Sequence, residues 1–340
     1  MKVLIIGGTG LISTSISRHL LERGDEVTLF NRGKSEVRFA EGAKFLHGDR
    51  KDYAAFEAQM AEAGNFDCVI DMIGFVPNDA ESAIRAFRGR IGHFIFCSTV
   101  CVYGGPASSY PIREGEERTP TGTYGANKTL CEAILLAADH RGDFHATVMR
   151  PSQTYGEGGT IVHSLGGKTT YLDRIRKGKP IIVHGDGSCL WAACHVDDVA
   201  AGFVGAAGNP ATYGKAYNVT GEEWMTWNKY HEGVAEAMSA PAPKLVHIPT
   251  DLLGKIAPKR ASISVDIFQF PSVFDNSAAI RDLGFQQTIP WVEGVRRTVG
   301  WLDERGKIEN SDDDPLDDRI IAAWQKLTEQ MEHDLKGLES

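Results

Sequence analysis

The sequence predicts an α/β protein in which a parallel sheet is wound with crossover helices. Three observations carry this expectation. Short β-branched runs alternate with longer helical patterns through the first half, glycines crowd the junction of the first strand and first helix, and the texture turns glycine- and proline-rich after Arg150 and Pro151.

Taken in order, the expected strands are Lys2–Ile6, Glu26–Phe30, Lys44–Leu46, Cys68–Asp71, His93–Cys97 and Ala146–Met149, each a run too short for a helix. Between them the spacing predicts helices over Ile12–Arg23, Tyr53–Ala63, Ala80–Arg88 and Tyr124–His140, the first closed by Gly24 as a C-terminal cap. Beyond Pro151 the chain is broken by Pro180, Pro210, Pro241, Pro243, Pro249 and Pro271, the pattern of a substrate region built from loops and short elements. Asp314 and Pro315 then start a final helix, whose Ile320, Ile321, Trp324, Leu327, Met331 and Leu335 fall near helical spacing. That stripe is expected to pack on its own body or on a partner subunit. No internal repeat or low-complexity linker interrupts the order.

Composition narrows the function classes. A formal net charge of −9 leaves no basic footprint for nucleic acid or an anionic membrane surface. The six cysteines, Cys68, Cys97, Cys101, Cys131, Cys189 and Cys194, contain no CxxC pair, which fits a reducing cytoplasm. MKVLIIGGTG reads as a strand entering a glycine turn rather than a signal peptide, and no apolar run approaches the roughly twenty residues that span a bilayer.

The first strand runs into Gly7-Gly8-Thr9-Gly10-Leu11-Ile12-Ser13. Glycine is needed where the chain turns tightly and where backbone approaches a pyrophosphate, and the helix that begins there aims its free N–H groups and positive dipole end at the phosphates. With strands on both sides of that helix, the segment reads as a Rossmann-type dinucleotide turn. Gly7, Thr9, Gly10, Leu11 and Ile12 are candidate cofactor contacts, and Ser13 stands where Gly or Ala is usual.

The second strand leads to Asn31-Arg32-Gly33-Lys34, where an NAD site normally offers a carboxylate to the ribose 2′-hydroxyl. Asn31 and Arg32, with Lys34 or Arg38 in support, suit a 2′-phosphate instead. NADP is therefore the expected cofactor, with NAD the alternative. Asp49, followed by Arg50, is a candidate for the adenine amino group or a cap for the next helix.

The fifth strand ends at Ser98-Thr99-Val100-Cys101-Val102-Tyr103-Gly104, and Tyr124-Gly125-Ala126-Asn127-Lys128 heads a helix. Tyr124 and Lys128, four apart, share one helical face. A phenol is a poor proton donor or acceptor at neutral pH, but a nearby ammonium favours its phenolate form, and the same ammonium suits the nicotinamide ribose. Thr99 adds a hydroxyl to hold a substrate oxygen.

These features, together with Met149-Arg150-Pro151-Ser152-Gln153-Thr154-Tyr155-Gly156, His184-Gly185-Asp186-Gly187, His195-Val196-Asp197-Asp198-Val199-Ala200 and Asp282-Leu283-Gly284-Phe285, resemble the extended short-chain dehydrogenase/reductase superfamily in its NAD-dependent epimerase/dehydratase branch. The resemblance runs to about residue 305. It implies an α/β fold with a Rossmann doubly wound parallel sheet and a smaller C-terminal substrate-binding domain. The expected organisation is a core over 1–155, a mostly substrate-binding region over 156–305 with elements returning to the core, and a helical tail over 306–340. It further implies a homodimer and puts Thr99, Tyr124 and Lys128 in the catalytic places. The implied cofactor set gains Ile73, Gly74, Lys128 and Pro151, and the implied substrate set is Thr99, Cys101, Tyr124, Gln153 and Trp191.

Two departures bear on the chemistry. Family members that dehydrate nucleotide sugars carry an Asp-Glu pair after the catalytic Thr, whereas Val100 and Cys101 stand here and supply no acid/base pair to expel water. Members that bind nucleotide diphosphates usually place an arginine before the HVxD segment, but Ser188–Cys194 contains none and presents Trp191, an indole suited to stacking on a sugar or to core packing. Only Lys168, Arg174 or Arg176 from the preceding segment would be left to reach a diphosphate.

The cluster His184, Cys189, Cys194, His195, Asp197 and Asp198 matches no tetrahedral zinc spacing; no metal is expected, and Asp198 reads as a cap or tie. Trp224 and Trp227, around the capping residue Thr226, are expected to pack. The expected activity is NAD(P)-linked interconversion of a secondary alcohol and ketone on a sugar, sugar acid or polyol. An epimerase that keeps its cofactor bound is the rival. The RNA-contacting members among chloroplast stem-loop-binding proteins, whose glycine turn and Phe30-Asn31-Arg32-Gly33 are similar, offer a third reading that the net acidity disfavours.

Overall fold

The computed structural model describes residues 1–34, 38 and 41–338. The chain divides into two compact units. The first gathers Met1–Gly156, Ala192–Glu223 and Val273–Pro290; the second gathers Glu157–Trp191, Trp224–Ser272 and Trp291–Ser340. The final helix is grouped with the second unit.

The first unit is built on β1 (Lys2–Ile6), β2 (Glu26–Asn31), β3 (Lys44–His47), β4 (Phe66–Asp71), β5 (Ile91–Cys97) and β6 (His145–Pro151), with helices α1 (Leu11–Glu22), α2 (Tyr53–Glu62), α3 (Pro77–Phe87) and α4 (Thr123–His140) between them. With the strand Lys215–Val219 these form a seven-stranded parallel sheet in the order Lys215–Val219, β6, β5, β4, β1, β2, β3. This is a Rossmann-type doubly wound sheet. The winding reverses at β1, which lies between β2 and β4, and such a reversal opens a crevice at the carboxyl ends of the strands.

Alternation along each strand divides the core in two. Val3 and Ile5 of β1 join Ile16 and Leu20 of α1, while Leu4 and Ile6 join Phe56 and Met60 of α2 and Cys131 and Leu135 of α4. Burying each large apolar side chain contributes roughly 1.5–3 kcal/mol, so β1, buried on both faces, anchors the sheet.

The starts of β4, β5 and α3 differ from the sequence expectation for local reasons. Phe66 and Ile91 pair with each other and lengthen β4 and β5 at their starts. α3 begins at Pro77, ahead of the expected Ala80, because proline suits the first helical turn and the Asp79 carboxylate accepts from the N–H groups of Phe75 and Val76 at 2.7 and 3.1 Å.

In the second unit the strand Ile181–His184 pairs in parallel with Leu245–Ile248, and Leu190–Trp191 pairs antiparallel with Met225–Thr226. Leu165, Ile182, Ile248 and Leu253 form a core that Ile320 and Ile321 of the last helix, Leu316–Leu335, complete. The later part of that stripe is open: Leu327, Met331 and Leu335 are exposed. Among the described residues no helix is long and apolar enough to cross a membrane.

Candidate functional site

The glycine turn lies where β1 ends and α1 begins. Gly7 has φ +87°, and a Cβ there would come within 2.5 Å of Ile73 Cγ2; one on Gly8 would meet Leu29 Cδ2 at 2.6 Å. Both positions therefore require glycine, the first also for its backbone conformation. Ser13 fills the third motif position by accommodation: its hydroxyl donates to the Gly7 carbonyl at 2.8 Å and accepts from Gly10 N at 2.8 Å. The serine thus fastens the turn to the helix, and Leu11 and Ile12 lead α1 with first-turn N–H groups that have no intrahelical acceptor.

At the end of β2, the Asn31 side chain accepts from Gly33 N at 2.8 Å while its Nδ2 is buried with no partner among the described residues. Arg32 and Lys34 are exposed. Arg38 donates to the Gly10 carbonyl at 2.8 Å and to Thr14 Oγ1 at 3.1 Å, which sets a guanidinium beside the glycine turn. A glycine cradle that no side chain can enter, an orphaned buried donor and cations at its rim fit a nicotinamide dinucleotide. Asp49 is exposed and accepts from Lys51 N at 2.9 Å.

Arg50 corrects its expected role. Its side chain is 2% exposed, lies over the Phe56 ring at 4.3 Å and is turned into the protein toward Asp71, so the guanidinium does not serve as a surface contact for a nucleotide.

Thr99 ends the run after β5 and caps a short 3₁₀ turn, Val100–Val102, by accepting from Cys101 N at 3.2 Å. Tyr124 and Lys128 follow at the head of α4. The Lys128 ammonium, 1% exposed, donates to the carbonyls of Cys97 at 2.6 Å and Gly74 at 2.8 Å and lies 4.6 and 4.9 Å from the centroids of Phe96 and Phe75. It stands 5.9 Å from the centre of the Tyr124 ring.

Tyr124 is 49% exposed, while Thr99, close enough to influence its phenol, is buried. Burial raises the phenol well above its ordinary value, the neighbouring Cys97 and Cys101 thiols add to the rise, and the Thr99 hydroxyl opposes it. The expectation that Lys128 draws Tyr124 toward phenolate is not met in this arrangement: the ammonium is turned to two backbone carbonyls, and burial is the largest influence on the phenol. Burial likewise pushes the Cys101 thiol up, so it is not a ready nucleophile.

Behind these residues lies a buried network that the sequence reading missed. Glu132, fully buried, accepts from Ser98 Oγ at 2.5 Å and pairs with Arg150 at 2.7 Å and Arg118 at 3.0 Å. Arg150 donates onward to the Tyr103 hydroxyl at 2.7 Å, which donates to Asn218 Oδ1 at 2.7 Å. The available signal was spacing: Tyr124, Lys128 and Glu132 recur every four residues on one face of α4. The network fixes Ser98, and hence Thr99, against the same helix that carries Tyr124.

The remaining expected contacts are placed as follows. Ile73 and Gly74 follow β4 beside the glycine turn, Pro151 ends β6, and Gln153 is half-buried just after it. Trp191 is corrected: it is 3% exposed and packs in the second unit against Trp227 at 5.0 Å and Phe268 at 4.7 Å, leaving no face for a sugar. Trp227 packs as expected, but Trp224 is 48% exposed.

Asp198 ties Thr288 and Ile289 within the first unit, while His184 bonds Ser164 in the second, each taken by a structural partner. The cations left to reach a diphosphate are also committed: Arg174 to Asp318, Arg176 to Asp303 and Lys168 to Asp314, at 2.8, 2.6 and 2.9 Å.

Residues 3–220 match the family model of the NAD-dependent epimerase/dehydratase family. The chain is 30% identical over 326 residues to a UDP-glucose 4-epimerase of Mycolicibacterium smegmatis, covering 88% of this chain and 97% of that one. It is 29% identical over 336 residues to the chloroplast stem-loop binding protein of 41 kDa b of Arabidopsis thaliana, covering 94% and 84%. A 2′-dehydrokanamycin reductase of Streptomyces kanamyceticus is 24% identical over 312 residues, covering 92% and 87%. Among solved structures, UDP-glucose 4-epimerase of Thermotoga maritima with UDP-glucose superposes with a TM-score of 0.71 at 21% identity, covering 90% and 99%, a likeness of fold. UDP-glucose 4-epimerase of Thermus thermophilus in complex with NAD gives 0.71 at 22% identity, covering 89% and 99%.

Proposed function

From the premise that the chain belongs to the NAD-dependent epimerase/dehydratase family, we propose that it is a nicotinamide-dependent oxidoreductase that interconverts a secondary alcohol and a ketone on a sugar, sugar acid or polyol. The observation that carries this reading is the placement of Tyr124 and Lys128 on one face of α4, with the Lys128 ammonium bonded to the Cys97 carbonyl two residues before Thr99 and to Gly74 beside the glycine cradle.

The residues that would hold the cofactor are Gly7, Thr9, Gly10, Leu11 and Ile12 at its phosphates, Asn31 and Arg32 at the adenosine ribose, Asp49 at the adenine, Ile73, Gly74 and Pro151 along its length, and Lys128 at the nicotinamide ribose. The bound group supplies the hydride acceptor or donor. Thr99 orients the substrate oxygen, and Tyr124 exchanges a proton with it. A phenol whose acidity is weakened by burial rests protonated, which suits delivery of a proton to a ketone oxygen as hydride arrives. A reductase stands among the relatives.

NADP is the proposed cofactor, because Arg32 is exposed at the end of β2 where no carboxylate stands. The proposed substrate carries no nucleotide diphosphate, because Lys168, Arg174 and Arg176 are each already paired. Screening sugars, sugar acids and polyols with NADPH and NADH tests the reading. Net absorbance change with an exchangeable cofactor is expected; micromolar competition by uridine diphosphate at the substrate site overturns the diphosphate exclusion and restores the epimerase.

A further inference from the structure

Arg50 and Asp71 form a buried ion pair at the carboxyl ends of β3 and β4 that the proton chemistry does not use. Arg50 Nη2 lies 3.6 Å from Asp71 Oδ2 and donates to the Asp79 carbonyl, while its Nε and Nη1 are buried without partners among the described residues. A buried cation with two unsatisfied donors is a costly way to stabilise a fold, so stability alone does not account for it.

Its reach becomes clear from what Asp71 holds. Asp71 Oδ1 accepts from Ile73 N at 3.0 Å, and Asp71 Oδ2 sits 3.1 Å from where a Cβ on Gly74 would lie, so the Ile73-Gly74 backbone rests directly on this carboxylate. The Gly74 carbonyl then accepts from Lys128 Nζ at 2.8 Å. On its other side the same segment touches the dinucleotide turn, where Ile73 Cγ2 occupies the space that a side chain on Gly7 would need.

We propose that Arg50 is a positioning residue for Lys128. By fixing Asp71 it fixes the Ile73-Gly74 backbone, and through the Gly74 carbonyl it sets the ammonium that meets the nicotinamide-side ribose. This rests on the role given above to Lys128. It separates Arg50 from the adenine half of the site, although its neighbour Asp49 is assigned there.

The test is calorimetric titration of the full chain with NAD⁺ and, separately, with ADP, which carries only the adenine half. Arg50→Met is expected to weaken NAD⁺ by about tenfold, the scale of one lost charge-assisted hydrogen bond, and to leave ADP within about twofold. Asp71→Asn should repeat that split, and it carries the comparison if circular dichroism shows Arg50→Met to be unfolded. Arg50→Lys, which still offers Asp71 a cation, should keep most of the NAD⁺ affinity. Lys128→Met should lose more than Arg50→Met, because the Cys97 carbonyl still holds the ammonium in the latter, and the double variant should bind no worse than Lys128→Met alone. Equal losses for NAD⁺ and ADP, unchanged NAD⁺ binding in both Arg50→Met and Asp71→Asn, or additive losses in the double variant overturn the proposal. Unchanged NAD⁺ binding in Lys128→Met overturns the assignment of Lys128 itself, and the relay with it.

Discussion

Tyr124 joins two environments, a ring half open to solvent and a phenol whose proton affinity is raised by burial. Replacing it with phenylalanine keeps the ring's contact with Phe75, at 6.5 Å between centroids, and removes only the exchangeable proton. Tyr124→Phe is therefore expected to abolish turnover while cofactor affinity, measured by calorimetry, stays nearly unchanged. Retention of most activity at saturating cofactor would withdraw the tyrosine from the mechanism. Arg32 gives a second prediction at this scale. It is exposed, so its substitution should disturb little of the fold, and Arg32→Ala should weaken NADP⁺ far more than NAD⁺. Equal weakening of both in parallel titrations would withdraw Arg32 from recognition of the 2′-phosphate.

The head of α4 is the element on which the site depends, and Gly125 sets how closely it approaches the turn after β5. A Cβ at this position would lie 2.3 Å from the Cys101 carbonyl and 2.9 Å from Pro120 Cβ. Alanine is favoured over glycine inside a helix by about 1 kcal/mol, but overpacking against backbone costs roughly 1–3 kcal/mol. The clash should win, and the helix must shift at the segment that carries Tyr124 and Lys128. Gly125→Ala is expected to lower the melting temperature modestly and to cut kcat by tenfold or more, about 1.4 kcal/mol of barrier, because orientation is what the helix supplies. A variant that melts lower yet turns over normally would show that the site tolerates the shift.

Across the whole molecule, acid should act unevenly on the two units. In the second, burial holds His163 down to about 3 and His184 to about 4, and lowers His231 well below its ordinary value. In the first, His93 is held at about 4. A histidine depressed on folding takes up its proton more readily when unfolded. Its stabilisation is whole above the unfolded value of roughly 6.5 and is lost as pH falls through the folded value. The carboxylates that bind the start of the last helix, with Asp312 at about 2 and Asp314 and Asp318 lowered by their basic partners, lose their contribution below roughly pH 4 by the same sign. Asp317, raised by burial, opposes them. Stability should thus fall from about pH 6.5 downward, first in the second unit, as followed by hydrogen exchange of the two units. His231→Gln should flatten that slope, and a slope unchanged by it would assign the acid sensitivity elsewhere.

What the sequence determined by itself was the part governed by short-range rules. The strands β1 to β6, the helices between them, the glycine turn and the spacing of Tyr124 and Lys128 follow from local periodicity, from the need for backbone without side chains, and from the pitch of a helix. Tertiary structure decided whatever depended on which groups meet across the fold. Arg50 stood in a motif beside a candidate cofactor residue, yet packing turned its guanidinium inward to Asp71. Trp191 looked available for stacking until Trp227 and Phe268 closed on it. Lys128 seemed to govern the phenol of its helical neighbour, but the carbonyls of Cys97 and Gly74, from other parts of the chain, orient its ammonium, and burial is the largest influence on Tyr124. Proton affinity, side-chain direction and access are set by the sum of surrounding dipoles and excluded water, and that sum exists only once distant segments have packed.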